Sequence, residues 1–158
     1  MSNVELTPGE IEKLINPSGG SWASSPGAVK SFRGNRSRDT SPEVSIRRIL
    51  HAAGLRYRVA SRPDPNYRGT ADLVFRKPRV AVFVDGCYWH GCPQHYKRPT
   101  AHSEYWATKI ARNLARDRAM DAHLQQLGWL SLRFWEHVPP DQAASLIRAE
   151  VARRLTAS

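Results

Sequence analysis

Apolar positions recur with a helical period in three stretches of the chain, and short runs of strand character lie between them. The first helical stretch opens at Ser41-Pro42-Glu43: a serine able to cap, a proline suited to the first helical position, and an acid in the first turn. Val44, Ile46, Ile49 and Leu50 supply its apolar face, and Gly54 its stop. A long helix is predicted from Ser103, as N-cap, to Leu127, ending at Gly128. At about 100° per residue, Trp106, Ile110, Leu114, Met120, Leu124 and Leu127 form one apolar stripe along it. Asp141 caps a third helix that runs through Arg154. Four strands are predicted: Arg56 to Ala60, Ala71 to Arg76, Arg79 to Asp85 and Trp129 to Trp135. The tight turn Lys77-Pro78 joins the second to the third, whose VAVFV run is β-branched and buried in character. Helix, three strands, helix, strand, helix predicts an α/β fold with a mixed central sheet flanked by helices.

A chain of 158 residues fits one domain. Residues 1–28, rich in Ser, Gly, Asn and Pro, read as a flexible N-terminal arm, and residues 29–158 as a single folded domain. No apolar run approaches the roughly 20 residues that span a bilayer, and no basic-then-apolar signal pattern opens the chain. A cytoplasmic protein without a membrane partner is expected. Lys and Arg outnumber Asp and Glu by 24 to 14, a net charge of +10. Such an excess points to a polyanionic partner, with nucleic acid the first candidate, bound in a salt-dependent way. Lys30, Arg33, Arg36 and Arg38 form a basic run at the entry to the folded part, suited to phosphate contact.

The run VFVDGCYWHGCPQH, residues 82–95, carries the most unusual chemistry. Cys87 and Cys92 are the only cysteines and lie too close in sequence, in a reducing compartment, to suggest a structural disulfide. With His95 they follow a C-x4-C-x2-H spacing, three ligands that can wrap one tetrahedral ion. His137, at the end of the LRFW strand, is the preferred fourth ligand. His102, His123 and His90 are alternatives, and His51 is disfavoured by its place on the first helix. A closed set of four makes this a structural zinc site, pinning an irregular loop.

Asp72 lies within the strand GTADLVF, where an acid is disfavoured unless it has a partner. A turn at Lys77-Pro78 sets Asp72 opposite Phe83, with Asp85 its diagonal neighbour on the same face. Both carboxylates, or Asp72 with the Val84 carbonyl, could share a hard cation such as magnesium. His90 could accept a proton from an attacking water beside that ion, because imidazoles titrate near neutrality. Asp117 falls on the apolar stripe of the long helix, with Asn113 beside it. It either orients His90 or a metal-bound water, or pairs with a buried arginine such as Arg133. Glu43 is either a dipole-favoured acid or an outer-sphere ligand of the same site. Tyr88 and Trp89, adjacent on an extended loop, cannot easily face one core, and they suit stacking on or wedging between bases. Trp106 is open to either a core or a DNA role.

The segments RSRDTSPEVSIRRILHAAGLRYRV, GTADLVF, VFVDGCYWHGCPQHYKRP, EYWATKIARNLARDRAMDAHLQQLGW and LRFWEH resemble the very-short-patch repair endonucleases over residues 22–138. The resemblance implies a restriction-endonuclease-like fold with a structural zinc site. It implies that Asp72 and the Val84 carbonyl bind magnesium, that His90 is the general base, and that Asp117 and Glu43 are catalytic-site acids. It places Tyr88, Trp89 and Trp106 among intercalating aromatics, and Cys87, Cys92, His95 and His137 in the zinc region; Arg36 and Arg38 are taken as DNA contacts. Asp85 stands where the family can carry a histidine. The implied activity is magnesium-dependent nicking of double-stranded DNA 5′ to the thymine of a T·G mismatch. A monomer is expected, with other mismatch-repair proteins as candidate partners. The alternative is a restriction-type or defence nuclease with another DNA target.

Overall fold

A computed structural model describes residues 38–157. The predicted arm and Arg36 lie outside the described residues. Helix α1 spans Ser41–Ala52, strands β1, β2 and β3 span Arg58–Ser61, Ala71–Phe75 and Val80–Asp85, helix α2 spans Ser103–Gln126, β4 spans Leu130–Trp135 and α3 spans Pro140–Thr156. This is the predicted order. The caps sit one or two residues earlier than predicted. Thr40 caps α1, His102 caps α2 in a left-handed conformation (φ 54°), and Pro139 precedes α3, whose first-turn prolyl nitrogen has no N–H to satisfy. Arg79 belongs to the β2–β3 turn rather than to β3, because it too is left-handed (φ 53°).

The sheet is mixed, in the order β1-β2-β3-β4: β1 to β3 form an antiparallel meander, and β4 joins β3 in parallel after the α2 crossover. Side-chain alternation gives the sheet two apolar faces. Leu73, Phe75, Val80 and Val82 pack against Ile46 and Leu50 of α1 and Ala143, Ala144, Ile147 and Val151 of α3. Val74, Ala81 and Phe83 pack against Met120 and Leu124 of α2. The result is a helix layer on each side of the sheet. Two predicted core positions are exposed, Leu127 at 40% and Ile49 at 36%, and Val44 and Leu114 are only partly buried. Leu127 follows the last residue of α2 and turns away from the stripe. No helix among the described residues is long and apolar enough to cross a membrane.

Parallel pairing of β3 with β4 runs from Val80↔Leu130 to Asp85↔Trp135. It brings the C-terminal ends of these strands side by side, and the loop 86–102 leaves from there. Open α/β sheets characteristically build their sites at such strand ends.

Candidate active site and metal cluster

The loop after β3 is tied down at its first residues. Glu136 Oε1 accepts the Cys87 N–H at 2.8 Å, and the Glu136 N–H bonds Asp85 O at 2.9 Å. Backbone turns follow: His90 N–H to Gly86 O at 3.1 Å, Cys92 N–H to Cys87 O at 2.9 Å, and Tyr96 N–H to Cys92 O at 2.9 Å. Gly91 makes the tightest of these possible. It is left-handed (φ +64°), and a Cβ there would lie 3.1 Å from Ile110 Cγ2 on α2.

The coiling of the loop corrects the expectation that Tyr88 and Trp89 diverge. Both rings fold onto Trp106, at centroid distances of 5.4 and 5.7 Å, and lie 5.3 Å from each other. Trp106 is only 4% exposed. The Lys109 ammonium lies 5.2 Å from the Trp89 ring centre and 5.4 Å from that of Trp106. Asn113 Nδ2 donates to the Trp89 carbonyl at 2.8 Å, while its Oδ1 accepts from Arg116. The aromatics thus form one cluster between the loop and α2. Sequence reasoning had no signal for Lys109, and it placed Asn113 no more closely than beside the stripe.

Cys87, Cys92 and His95, grouped by their spacing, converge with His137 from the end of β4, with donor atoms within 4.8 Å of one another, a set that could hold a metal ion. Cys87 Sγ lies 3.1 Å from His137 Nδ1 and 3.8 Å from His95 Nδ1; Cys92 Sγ lies 3.7 Å from His95 Nδ1 and 3.8 Å from His137 Nδ1. Both sulfurs are buried, whereas the imidazoles reach the surface. Burial pushes the Cys87 thiol up to about 11, with the neighbouring Cys92 adding to the shift. Two of the alternative fourth ligands are engaged elsewhere, His123 Nε2 with Asp64 Oδ2 at 2.8 Å and His90 with Asp117, and the third, His102, is the N-cap of α2 and not a member of the cluster.

A second convergence lies on the α2 side of the strand ends. His90 Nδ1 is 2.6 Å from Asp117 Oδ2 and 3.9 Å from Asp85 Oδ1, and these three residues could also hold a metal ion. Both sequence readings of Asp117 are realised at once, since its other oxygen lies 3.5 Å from Arg133 Nη1. Arg133 is the hub that sequence reasoning underrated. Its Nη1 contacts both oxygens of Asp85 at 3.1 and 3.2 Å, and its Nε contacts both oxygens of Asp121 at 2.8 and 3.1 Å. Its guanidinium sits 4.1 Å from the Phe83 ring centre. Burial pushes the Asp85 carboxyl up, against the pull of Arg133 and His90. The adjoining cleft is lined by Leu114, Arg118 and Trp135 as well as by these residues.

Asp72 lies on the other side of Asp85. The observed register, Leu73↔Val82, is that implied by the predicted turn. Next along the strand, Asp72 Oδ2 accepts the Val84 N–H at 2.6 Å. Burial raises the Asp72 carboxyl to about 6; the Val84 bond opposes this, and the charges of Glu43 and Asp85 add to it. Glu43 is 2% exposed. Its Oε1 has no hydrogen-bond partner among the described residues, and the nearest cation, Arg47 Nη1, is 3.8 Å away. Glu43 is thus buried at the cost of its own hydration, near enough to Asp72 for its charge to raise that carboxyl. Arg38 is exposed and lies 3.8 Å from Asp39.

Comparison with known proteins places this arrangement. The family model of the DNA mismatch endonuclease Vsr matches residues 28–97. A type II nicking enzyme of Lentzea aerocolonigenes is 38% identical over 123 residues, covering 77% of this chain and 74% of that protein. A type II nicking enzyme of Neisseria meningitidis serogroup C is 38% identical over 110 residues, covering 68% and 72%. The DNA mismatch endonuclease Vsr of Escherichia coli strain K12 is 36% identical over 108 residues, covering 68% of this chain and 67% of that protein. Matches of this extent establish that the chain belongs to the Vsr family of DNA endonucleases.

Proposed function

We propose that this chain nicks duplex DNA 5′ to the thymine of a T·G mismatch by metal-dependent phosphodiester hydrolysis, on a restriction-endonuclease-like fold. The observation that carries the reading is the row of acids Glu43, Asp72, Asp85 and Asp117 with His90 at its end. Asp72 is held near 6 by burial and by neighbouring acids, and Glu43 Oε1 is buried with no hydrogen-bond partner among the described residues. Uncompensated buried carboxylates of this kind are costly, and a hard divalent cation relieves that cost. The residues therefore fit magnesium, which Asp72 and the Val84 carbonyl would hold, with Glu43 as an outer-sphere acid. When bound, the ion stabilises charge developing on the scissile phosphate. Asp117 accepts the Nδ1 proton of His90, which leaves Nε2 free to take a proton from the attacking water. Breakage of the P–O bond leaves a nick with the second strand intact.

The four-donor cluster fits zinc. Sulfur and nitrogen ligands on a tetrahedral zinc with ordinary bond lengths stand about 3.6 Å apart. The four Sγ–Nδ1 distances here run from 3.1 to 3.8 Å. A thiolate-binding cation would also reverse the upward shift of Cys87. Cys87, Cys92, His95 and His137, closed around zinc, would fix the loop that carries His90. Tyr88, Trp89 and Trp106 supply the aromatic surface for insertion at the mismatch, which requires their cluster to open on DNA. Arg36 and Arg38 supply phosphate contacts. The enzyme acts as a monomer in the cytoplasm, with residues 1–28 as an arm outside the catalytic domain and other mismatch-repair proteins as partners.

The names of the Lentzea and Neisseria relatives favour a second reading, a nicking enzyme of the restriction type. One assay decides: magnesium-dependent nicking of T·G and T·A versions of one duplex. Nicking confined to the T·G duplex is the expected result; equal nicking of both overturns the mismatch reading.

A further inference from the structure

We propose that Arg133 is the positioning residue of the His90 imidazole: its guanidinium engages Asp85 and leaves Asp117 to receive the Nδ1 proton. The inference rests on reading His90 as the base. Nδ1 faces two carboxylates, Asp117 Oδ2 at 2.6 Å and Asp85 Oδ1 at 3.9 Å. A ring that turned toward Asp85 would carry Nε2 away from its present direction, and a misplacement of about 1 Å at a reacting atom is enough to slow a step about a hundredfold.

Arg133 stands between the two acceptors. Its Nη1 contacts both Asp85 oxygens and lies 3.5 Å from Asp117 Oδ1, and its Nη2 donates to the Asp117 carbonyl at 3.4 Å. Asp85 is thereby engaged on both oxygens, while Asp117 Oδ2 remains turned to His90. The guanidinium is fixed from three sides. Its backbone is paired to Phe83 in the β3–β4 ladder, its face lies over the Phe83 ring, and Asp121 grips Nε at the end away from His90. A planar fork with several directed N–H groups can meet three carboxylates at once, which an ammonium cannot reproduce. Without that fork, Asp85 and Asp117 would compete for one imidazole N–H.

The test measures single-turnover nicking and DNA affinity on the duplex the wild-type enzyme cuts, together with the 1H–15N tautomer pattern of the His90 ring. Arg133→Met keeps the apolar stem over Phe83. It should lower the nicking rate constant about 10- to 100-fold while DNA affinity changes less than about threefold. Arg133→Lys should recover part of the rate. The wild-type ring should show one tautomer protonated at Nδ1, and the Met variant an averaged pattern. Should Arg133→Met not fold, Asp121→Asn, which frees the far end of the guanidinium, should show the same averaging to a smaller extent. A wild-type rate constant in folded Arg133→Met, or a ring pattern unchanged in every folded variant, overturns the inference. His90→Ala separates the two levels. Undiminished nicking by it sinks the reading of His90 as base, whereas loss of nicking there with a silent Arg133→Met sinks only the role of Arg133.

Discussion

His90 Nδ1 and Asp117 Oδ2, 27 positions apart in sequence, meet at 2.6 Å across the gap between the loop after β3 and the middle of α2. The contact is short enough to be charge-assisted and is made through the nitrogen that faces away from any incoming water bound at Nε2. It sets the tautomer of the imidazole as well as its direction. His90→Ala should therefore reduce nicking by about 100- to 10,000-fold, and Asp117→Asn by a smaller factor, with the far-ultraviolet circular dichroism of both unchanged. Single-turnover assays on a mismatched duplex provide the check, and undiminished cleavage by His90→Ala would refute the assignment.

Asp72 makes the metal-free protein sensitive to pH. Its carboxyl is raised from 3.8 to about 6 in the fold, chiefly by burial. An acid whose folded pKa exceeds its unfolded value holds its proton longer when folded, so stability falls as pH climbs from 3.8 to about 6 and stays reduced above it. The penalty at pH 7.5 is at most about 3 kcal/mol. Asp72→Asn should accordingly raise the denaturant midpoint of metal-free protein at pH 7.5, and the gain should vanish at pH 4, while nicking is lost. A gain equal at both pH values would contradict this origin.

Removal of the metal from the Cys87, Cys92, His95 and His137 cluster should lower the melting temperature and loosen the loop that carries His90. Cys92→Ser should do likewise, with protein-bound zinc, measured by atomic emission, falling from one equivalent per chain toward none. Because the cluster lies apart from Asp72, excess magnesium should not restore the melting temperature. An unchanged melt in metal-stripped protein would count against a structural ion.

Gly91→Ala places a methyl group 3.1 Å from Ile110 Cγ2 on a left-handed residue. The expected cost is about 1–2 kcal/mol. Its effect should concentrate in the loop, so amide exchange at 87–96 should quicken more than in β2 or α3. Uniform protection in the variant would show that the turn tolerates a side chain.

What was legible in the chain was mostly local. The Lys77-Pro78 turn was enough to predict the Leu73↔Val82 register, and so to set Asp72 beside Val84. The C-x4-C-x2-H spacing and the end of the LRFW strand were enough to nominate His137. What was not legible was tertiary. The inward turn of Glu43 depends on how α1 crosses the sheet, and nothing in a Ser-Pro-Glu helix start distinguishes it from an exposed acid. Arg133 was legible only as a generic partner, because its contacts come from β3 and α2 together. That Tyr88 and Trp89 share one cluster was not legible, because adjacent residues diverge in extended backbone but not in the Gly86–Cys92 turns.

Three members of the Cys/His cluster are within nine residues of one another, but the fourth, His137, is 50 positions beyond Cys87. A ribosome-bound chain therefore cannot complete the pocket until β4 has emerged and docked beside β3. Up to that moment the four-donor set lacks its last imidazole and the Cys87 N–H lacks its Glu136 acceptor. The order of synthesis thus makes the start of this loop one of the last parts of the domain to be tied down.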